Sequence, residues 1–517
     1  MLADFMQTNY RNLFTSTAKS ERYWQLGYAG LLLAGLVFFV SCAFYKEMWF
    51  DEAYTVAMLR HDFFKICEIT ARDVHPPLYY IIAKLASLLW GQDIVVYRLV
   101  SVTGMMLFLL LGFFHIRRIC GNPAGFYYTF FAVFLPVMLE YSGEARMYSW
   151  AMFFTTSAGI YAYLAYRQNQ RQHWGLFAIF SLCSAYTHNY ALLGAFFINL
   201  SLLTAIGANK RYLLKTCLWT ILAQVLLYLP WLVVLISQVV SVTQEYWIVI
   251  NYQYLLRDML VFYFAENLPG PAVKLLGFAW LAVCGFGLYT ARRQSSQYGG
   301  LALNSLALYL AVIGLALLLS QVKPIFITRY LMPNSGFLLI ALACGLAAIR
   351  RQGVAIALCM AIFIASSVNF YLHYNKVYSP LNNALRADIV YSLKPDDIFL
   401  YTDIHPAGIY AVAFPDHQHY AFLAGGEEDS KPNPFQPGLR LIYDLNALTD
   451  YTGRIWLIES ANAQLLYGHL GKQEPLFTVI DFARTYDMPY LSHKGFVFVG
   501  SLLQKQPGPV PPLPARE

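Results

Sequence analysis

The chain has 517 residues, of which 58% are hydrophobic, 17% aromatic and only 13% charged. A soluble domain carries about 25% charged residues, and the mean hydropathy of +0.47 points the same way, so a water-soluble globular protein is excluded. The net charge of +7 comes from short basic doublets between apolar runs rather than from one stripe or patch, which excludes nucleic acid as the partner.

Residues 1–23 read as a cytoplasmic tail with Arg11, Lys19 and Arg22. The apolar run 24–45 is too long and too aromatic for a signal peptide, and no small-x-small site follows it, so it is an uncleaved first span. Further spans are predicted at 98–116, 122–140, 148–166, 174–188, 190–208, 213–235, 272–290, 301–320, 331–349 and 353–373, about eleven in all. Such runs match a hydrocarbon core about 30 Å thick at about 1.5 Å of rise per residue. Arg117/Arg118, Arg167/Arg171, Lys210/Arg211/Lys215, Arg292/Arg293 and Arg350/Arg351 fall in alternate connections. Short basic loops are retained inside, which puts the N-terminus inside and the C-terminal segment outside.

The first outer loop, 46–97, contains one ambiguous stretch. His75–Gly91 is apolar enough to count as another span, but counting it puts the first basic doublets outside. Its Pro76-Pro77 start and internal Lys84 fit a juxtamembrane helix lying on the outer face. The eight cysteines show no CxxC or CxxH spacing, so neither a disulfide framework nor a cysteine metal site is indicated.

Beyond the membrane half, 24–373, the composition changes. Asp396–Asp403, Gly408–Phe414, Tyr420–Ala424, Arg454–Glu459, Phe477–Phe482 and Gly495–Gly500 read as short strands between Pro, Gly and Asn breaks. Residues 374–505 are therefore expected to form an extracytoplasmic α/β domain, and 506–517 a proline-rich tail.

Ionisable residues collect on the expected outer face. Trp49-Phe50-Asp51-Glu52-Ala53-Tyr54 places two carboxylates beside the bilayer, which suits a general base, although an acidic helix start has the same pattern. Asp73-Val74-His75-Pro76-Pro77 offers Asp73 and His75 as a pair for a metal or phosphate, or as a helix cap. In Glu140-Tyr141-Ser142-Gly143-Glu144-Ala145-Arg146, Arg146 suits a phosphate and Glu144 an acceptor or metal, with a local charge pair as the alternative. His188 sits in a tight turn, and Arg329 in Thr328-Arg329-Tyr330-Leu331-Met332-Pro333 is a second outward arginine, suited to an anion or to headgroups.

In this order the motifs resemble the bacterial branch of the GT-C membrane glycosyltransferases related to protein O-mannosyltransferases and lipid A aminoarabinose transferases. The matching elements are FDEAYT at Phe50–Thr55, DVHPPLYY at Asp73–Tyr80, YRLVS at Tyr97–Ser101, GEARMYS at Gly143–Ser149, THNY at Thr187–Tyr190 and TRYLMP at Thr328–Pro333. The resemblance implies a mainly α, polytopic GT-C fold in a bacterial cytoplasmic membrane, with outer-face juxtamembrane helices. It also implies a sugar donor on a polyprenyl phosphate and a lipid, glycan or protein acceptor. Asp51 is then the catalytic base. Glu52, His75, Glu144, Arg146, His188 and Arg329 become candidates for substrate or phosphate contacts. The family has metal-dependent and metal-independent members, so a divalent metal is left open, with Asp73, His75 and His188 as its candidate ligands. A transporter or lipid-linked sugar flippase is the rival reading; such proteins place charges near the midplane and repeat their halves, and neither feature is present here.

Overall fold

The computed structural model describes residues 18–505 except 46, 242–249, 265–266, 294–296, 424–433, 444–447, 449–450, 461–476 and 495. The expected tails therefore lie outside the described residues, apart from the start of the first helix at Ala18.

Every predicted span falls on a helix. Among the described residues, eight helices are long and apolar enough to cross a membrane, and nine if the bent pair Asn122–Phe134 and Pro136–Ser142 is one span. The expected count of about eleven also included Tyr148–Gln168, whose core-facing Thr155, Thr156 and Ser157 dilute its apolar character, and Arg171–Thr187, which has only 17 residues. Both pack among the others in the bundle. The bend of 62° falls at Pro136, where the ring removes a backbone donor and forces the preceding residue out of the helix. It hands the chain to the irregular turn Gly143–Met147, which carries Glu144 and Arg146.

The segment expected to lie on the membrane surface is the helix Leu78–Trp90, at 13 residues too short to span. Leu88, Leu89 and Trp90 are exposed, whereas Lys84 turns inward and its Nζ donates to the Leu59 carbonyl at 2.7 Å. Burying a lysine among apolar side chains requires such a partner.

The C-terminal region carries one sheet of six strands: β1 (Ile398–Tyr401), β2 (Gln418–Phe422), β3 (Leu439–Ile442), β4 (Arg454–Ser460), β5 (Phe477–Tyr486) and β6 (Phe498–Lys505). Their order is β3-β2-β1-β4-β6-β5, parallel from β3 to β4 and antiparallel across β6 and β5. Gly408–Phe414, expected as a strand, is instead the second half of the helix Ile404–Ala413 and its C-terminal cap, Phe414. Asp403 caps it, accepting from the His405 N–H at 2.9 Å; a short apolar run does not by itself distinguish helix from strand. The strand expected at Gly495–Gly500 begins later, at Phe498, and β3 went unforeseen.

The sheet domain does not hang free. Ala53, Val56, Tyr79 and Tyr80 of the first loop share one apolar core with Ile409, Tyr410, Phe414 and Phe498 of the domain. Arg60 donates to the Val412 carbonyl at 2.9 Å, and Phe50 packs edge-on against His405. Loop and domain thus close one end of the bundle together. Basic residues meet their partners at the opposite end: Arg117 lies 3.2 Å from Glu21, and Lys210 donates to the Tyr166 carbonyl at 2.7 Å.

Candidate active site

The helix Phe50–Arg60 begins with both carboxylates in its first turn, and the two go to different places. Glu52 is fully buried: its oxygens take Arg98 Nε and Nη2 at 2.7 Å each, and its Oε1 also accepts from the Ala145 N–H at 3.1 Å. Arg98 gives two further donors to the Tyr45 and Glu47 carbonyls. Glu52 was expected at the substrate; its acceptors are instead filled by protein, and it ties the first loop to the turn carrying Glu144 and Arg146.

Asp51 turns instead toward two arginines. Its side chain is 17% exposed, with Arg146 Nε at 3.9 Å and Arg329 Nη1 at 3.6 Å. Both separations exceed hydrogen-bond length, so each arginine holds this carboxylate by charge rather than by a side-chain hydrogen bond. Arg146 Nη1 also donates to Tyr80 Oη at 3.2 Å and to the Asp51 carbonyl at 3.4 Å, while its Nε has no hydrogen-bond partner among the described residues. Arg329 lies over the Trp49 ring at 5.6 Å. Arginines reach this carboxylate from 95 and 278 positions away in sequence.

Glu144 is buried beside them, and neither of its oxygens has a hydrogen-bond partner among the described residues. Burial raises its pKa to about 7; Lys494 opposes the rise, and Glu52 and Asp51 add to it. The lysine comes from the C-terminal domain. Its Nζ is 3.1 Å from Glu140 Oε1 and 3.7 Å from Glu144 Oε2, and it sits over Trp49 at 4.7 Å. Sequence reading missed Lys494, because nothing in Leu491-Ser492-His493-Lys494-Gly495 marks a site.

On the third side lie the two histidines. The Asp73–His75 turn is pinned by Asn189 Nδ2, which donates to the Val74 carbonyl at 2.8 Å, and by Gln238 Nε2, which donates to the Thr70 carbonyl at 2.9 Å and to that of Asp73. His75 and His188 rings are 5.6 Å apart, with Tyr148 and Tyr330 beside His188 at 5.8 and 5.3 Å. His188 Nδ1 accepts from the Tyr190 N–H at 3.0 Å, which leaves the neutral ring's proton on Nε2, a donor without a partner among the described residues. Burial, then Arg146 and Arg329, pull its pKa down to about 3, and burial with the same arginines and His188 pulls His75 well below the ordinary range. Burial raises that of Asp73, against which the Tyr54 hydroxyl lies.

Among the described residues no three His, Cys, Asp or Glu side chains group as metal ligands, so Asp73, His75 and His188 do not assemble a centre for the ion left open from sequence. Two arginines beside the histidines also oppose a cation there. The cluster around Asp51 has the opposite character: two guanidinium groups beside a partly exposed carboxylate, with Arg146 Nε, His188 Nε2 and both Glu144 oxygens lacking hydrogen-bond partners among the described residues. It suits a phosphate joined to a polyhydroxylated group.

The solved structures similar to this chain include ArnT from Cupriavidus metallidurans in the apo state, with a TM-score of 0.64, 12% identity, and coverage of 92% of this chain and 98% of that one. The same protein bound to undecaprenyl phosphate matches with a TM-score of 0.62 at 12% identity, again covering 92% and 98%. At this identity the likeness establishes a shared fold. No family model matches the sequence, and no curated protein matches it.

Proposed function

We propose that this chain is a glycosyltransferase that moves a sugar, a hexose or pentose, from a polyprenyl-phosphate carrier to a lipid, glycan or protein acceptor on the outer face of the cytoplasmic membrane. The observation that carries the reading is Asp51 held between Arg146 and Arg329 at the domain end of the bundle. A similar fold that binds undecaprenyl phosphate supports a donor of that kind. The orientation follows the basic loops, with the N-terminus inside and the C-terminal domain, residues 374–505, outside. A nucleotide sugar made in the cytoplasm does not reach such a site, whereas a lipid-borne one does.

In this reading Asp51 accepts the proton of the acceptor hydroxyl as its oxygen attacks the anomeric carbon. The C–O bond to phosphate breaks, and the leaving phosphate takes its charge to Arg146 and Arg329. One displacement inverts the anomeric centre. His188 Nε2–H and the Tyr148 hydroxyl, both without hydrogen-bond partners among the described residues, are placed to meet the sugar's hydroxyls. A second candidate for the proton acceptor is Glu144, whose pKa near 7 suits exchange at neutral pH.

The rival flippase reading is disfavoured by where the charges sit, at one end of the bundle. The test is mass spectrometry of lipid-linked sugars and envelope glycans with and without the protein. Accumulation of one polyprenyl-phosphate sugar in its absence names the donor; unchanged pools and glycans overturn the proposal.

A further inference from the structure

The membrane half and its first loop hold every group assigned to the chemistry, yet one charged side chain beside Glu144 arrives from the appended domain. Lys494 follows the short helix Pro489–His493, and β6 begins four positions later at Phe498. Its backbone is anchored: the Lys494 N–H donates to the Tyr490 carbonyl at 3.2 Å, the Tyr490 N–H to Asn382 Oδ1 at 2.9 Å, and the Tyr490 and Tyr45 hydroxyls meet at 3.0 Å. The side chain is 10% exposed and crosses the domain boundary to Glu140 and Glu144, with the rings of Trp49 and Tyr141 beneath its ammonium at 4.7 and 5.7 Å.

A lysine that only glued two surfaces together would be at home on the exposed rim. This one is desolvated, which costs free energy unless opposite charges offset it. Glu140 and Glu144 supply them and hold its pKa well above the ordinary value despite burial. The pairing is unequal: Glu140 accepts a hydrogen bond, while Glu144 stays at 3.7 Å with both oxygens unpartnered among the described residues. A carboxylate held by charge but not by hydrogen bonds keeps its acceptors for a ligand.

We propose that Lys494 is a positioning residue for transfer: by holding Glu140 and Glu144 from across the domain boundary it keeps Glu144 aimed at the acceptor, so the site is complete only when the C-terminal domain is docked. This rests on the transferase reading above. Glu144 is faced by Lys494 and Tyr490 from the domain, by Tyr45 at the end of the first span, and by Asp51 and Glu52 from the first loop. Arg329 approaches from the fourth side, and Arg146 and Tyr141 flank Glu144 along its own segment. Deleting the nearest cation therefore moves the pH dependence that Glu144 controls, whereas loss of packing alone does not.

The experiment compares full-length wild type, Lys494→Met, Lys494→Arg and Asp51→Asn in detergent–lipid micelles. It follows release of undecaprenyl phosphate from a panel of undecaprenyl-phosphate-linked pentoses and hexoses in the presence of an envelope lipid extract. Lys494→Met is expected to lower kcat roughly ten- to hundredfold with donor KM little changed. Its pH–rate limb near 7 is expected to shift alkaline by about one unit, and Lys494→Arg is expected to restore both. Wild-type kcat and an unmoved limb in a folded Lys494→Met protein overturn the inference. So does equal loss in both lysine variants with no change of pH profile. If Asp51→Asn also keeps full rate, the transferase mechanism itself has failed, a distinguishable result.

Discussion

Replacing Arg98 by methionine keeps an apolar stem and removes the guanidinium with its charge and its donors. In the native fold Glu52 and Arg98 are both inaccessible to solvent and joined by two bonds of 2.7 Å. The variant leaves a buried carboxylate with the Ala145 N–H alone, and the Tyr45 and Glu47 carbonyls lose a donor each. Removing one partner of such a buried pair costs about 3–5 kcal/mol. Because Glu52 is the residue after Asp51, the first turn that presents the base shifts as well, so activity falls together with stability. The assay is an SDS-unfolding titration in mixed micelles, followed by tryptophan fluorescence, on wild type, Arg98→Met, Glu52→Gln and the double variant. The double variant is expected to recover part of the loss, since a neutral amide is cheaper to bury than a lone carboxylate. An Arg98→Met protein within about 1 kcal/mol of wild type, the range of an exposed pair, refutes the reasoning.

The other perturbations are read the same way. Arg146→Gln and Arg329→Gln are each expected to weaken binding of undecaprenyl phosphate about ten- to hundredfold, the worth of one charged hydrogen bond, as measured by titration calorimetry; unchanged affinity in both removes the phosphate from that side of Asp51. Glu144 titrates near 7 in the folded chain against 4.5 ordinarily. Between those values the folded state keeps a proton that the unfolded state has lost, so the contribution of Glu144 is intact below about 4.5 and disappears as pH rises through 7. Glu144→Gln is therefore expected to flatten the fall in unfolding free energy across that window; an unaltered pH dependence contradicts the assignment.

The membrane half was legible from sequence because about 20 apolar residues between basic doublets have few alternatives. His75–Gly91 reads as non-spanning from the charge pattern and its Pro76-Pro77 start, since counting it as a span puts Arg117 and Arg118 outside, and the helix there, Leu78–Trp90, has only 13 residues. The site was partly legible: Asp51, Glu144, Arg146, His188 and Arg329 stood out as ionisable groups at apolar borders, and the structure brings them together. What stayed hidden depended on partners far along the chain. Glu52 looked like a twin of Asp51 until Arg98, 46 residues on, claimed both its oxygens. Lys494 lies 350 residues beyond Glu144 in a segment with no site-like pattern. Within the domain, Gly408–Phe414 misled because a short apolar run suits either element, and Asp403 decided the matter through one capping bond.

The most direct test of the account is the rate at which the purified protein releases undecaprenyl phosphate from its lipid-linked sugar, wild type against Asp51→Asn, with the anomeric configuration of the product determined. The account predicts transfer with inversion by wild type and a fall of about 10²- to 10⁴-fold in the variant, the usual contribution of a general base, with undecaprenyl phosphate still bound. Wild-type rates from a folded Asp51→Asn protein, or a product with retained configuration, would contradict it.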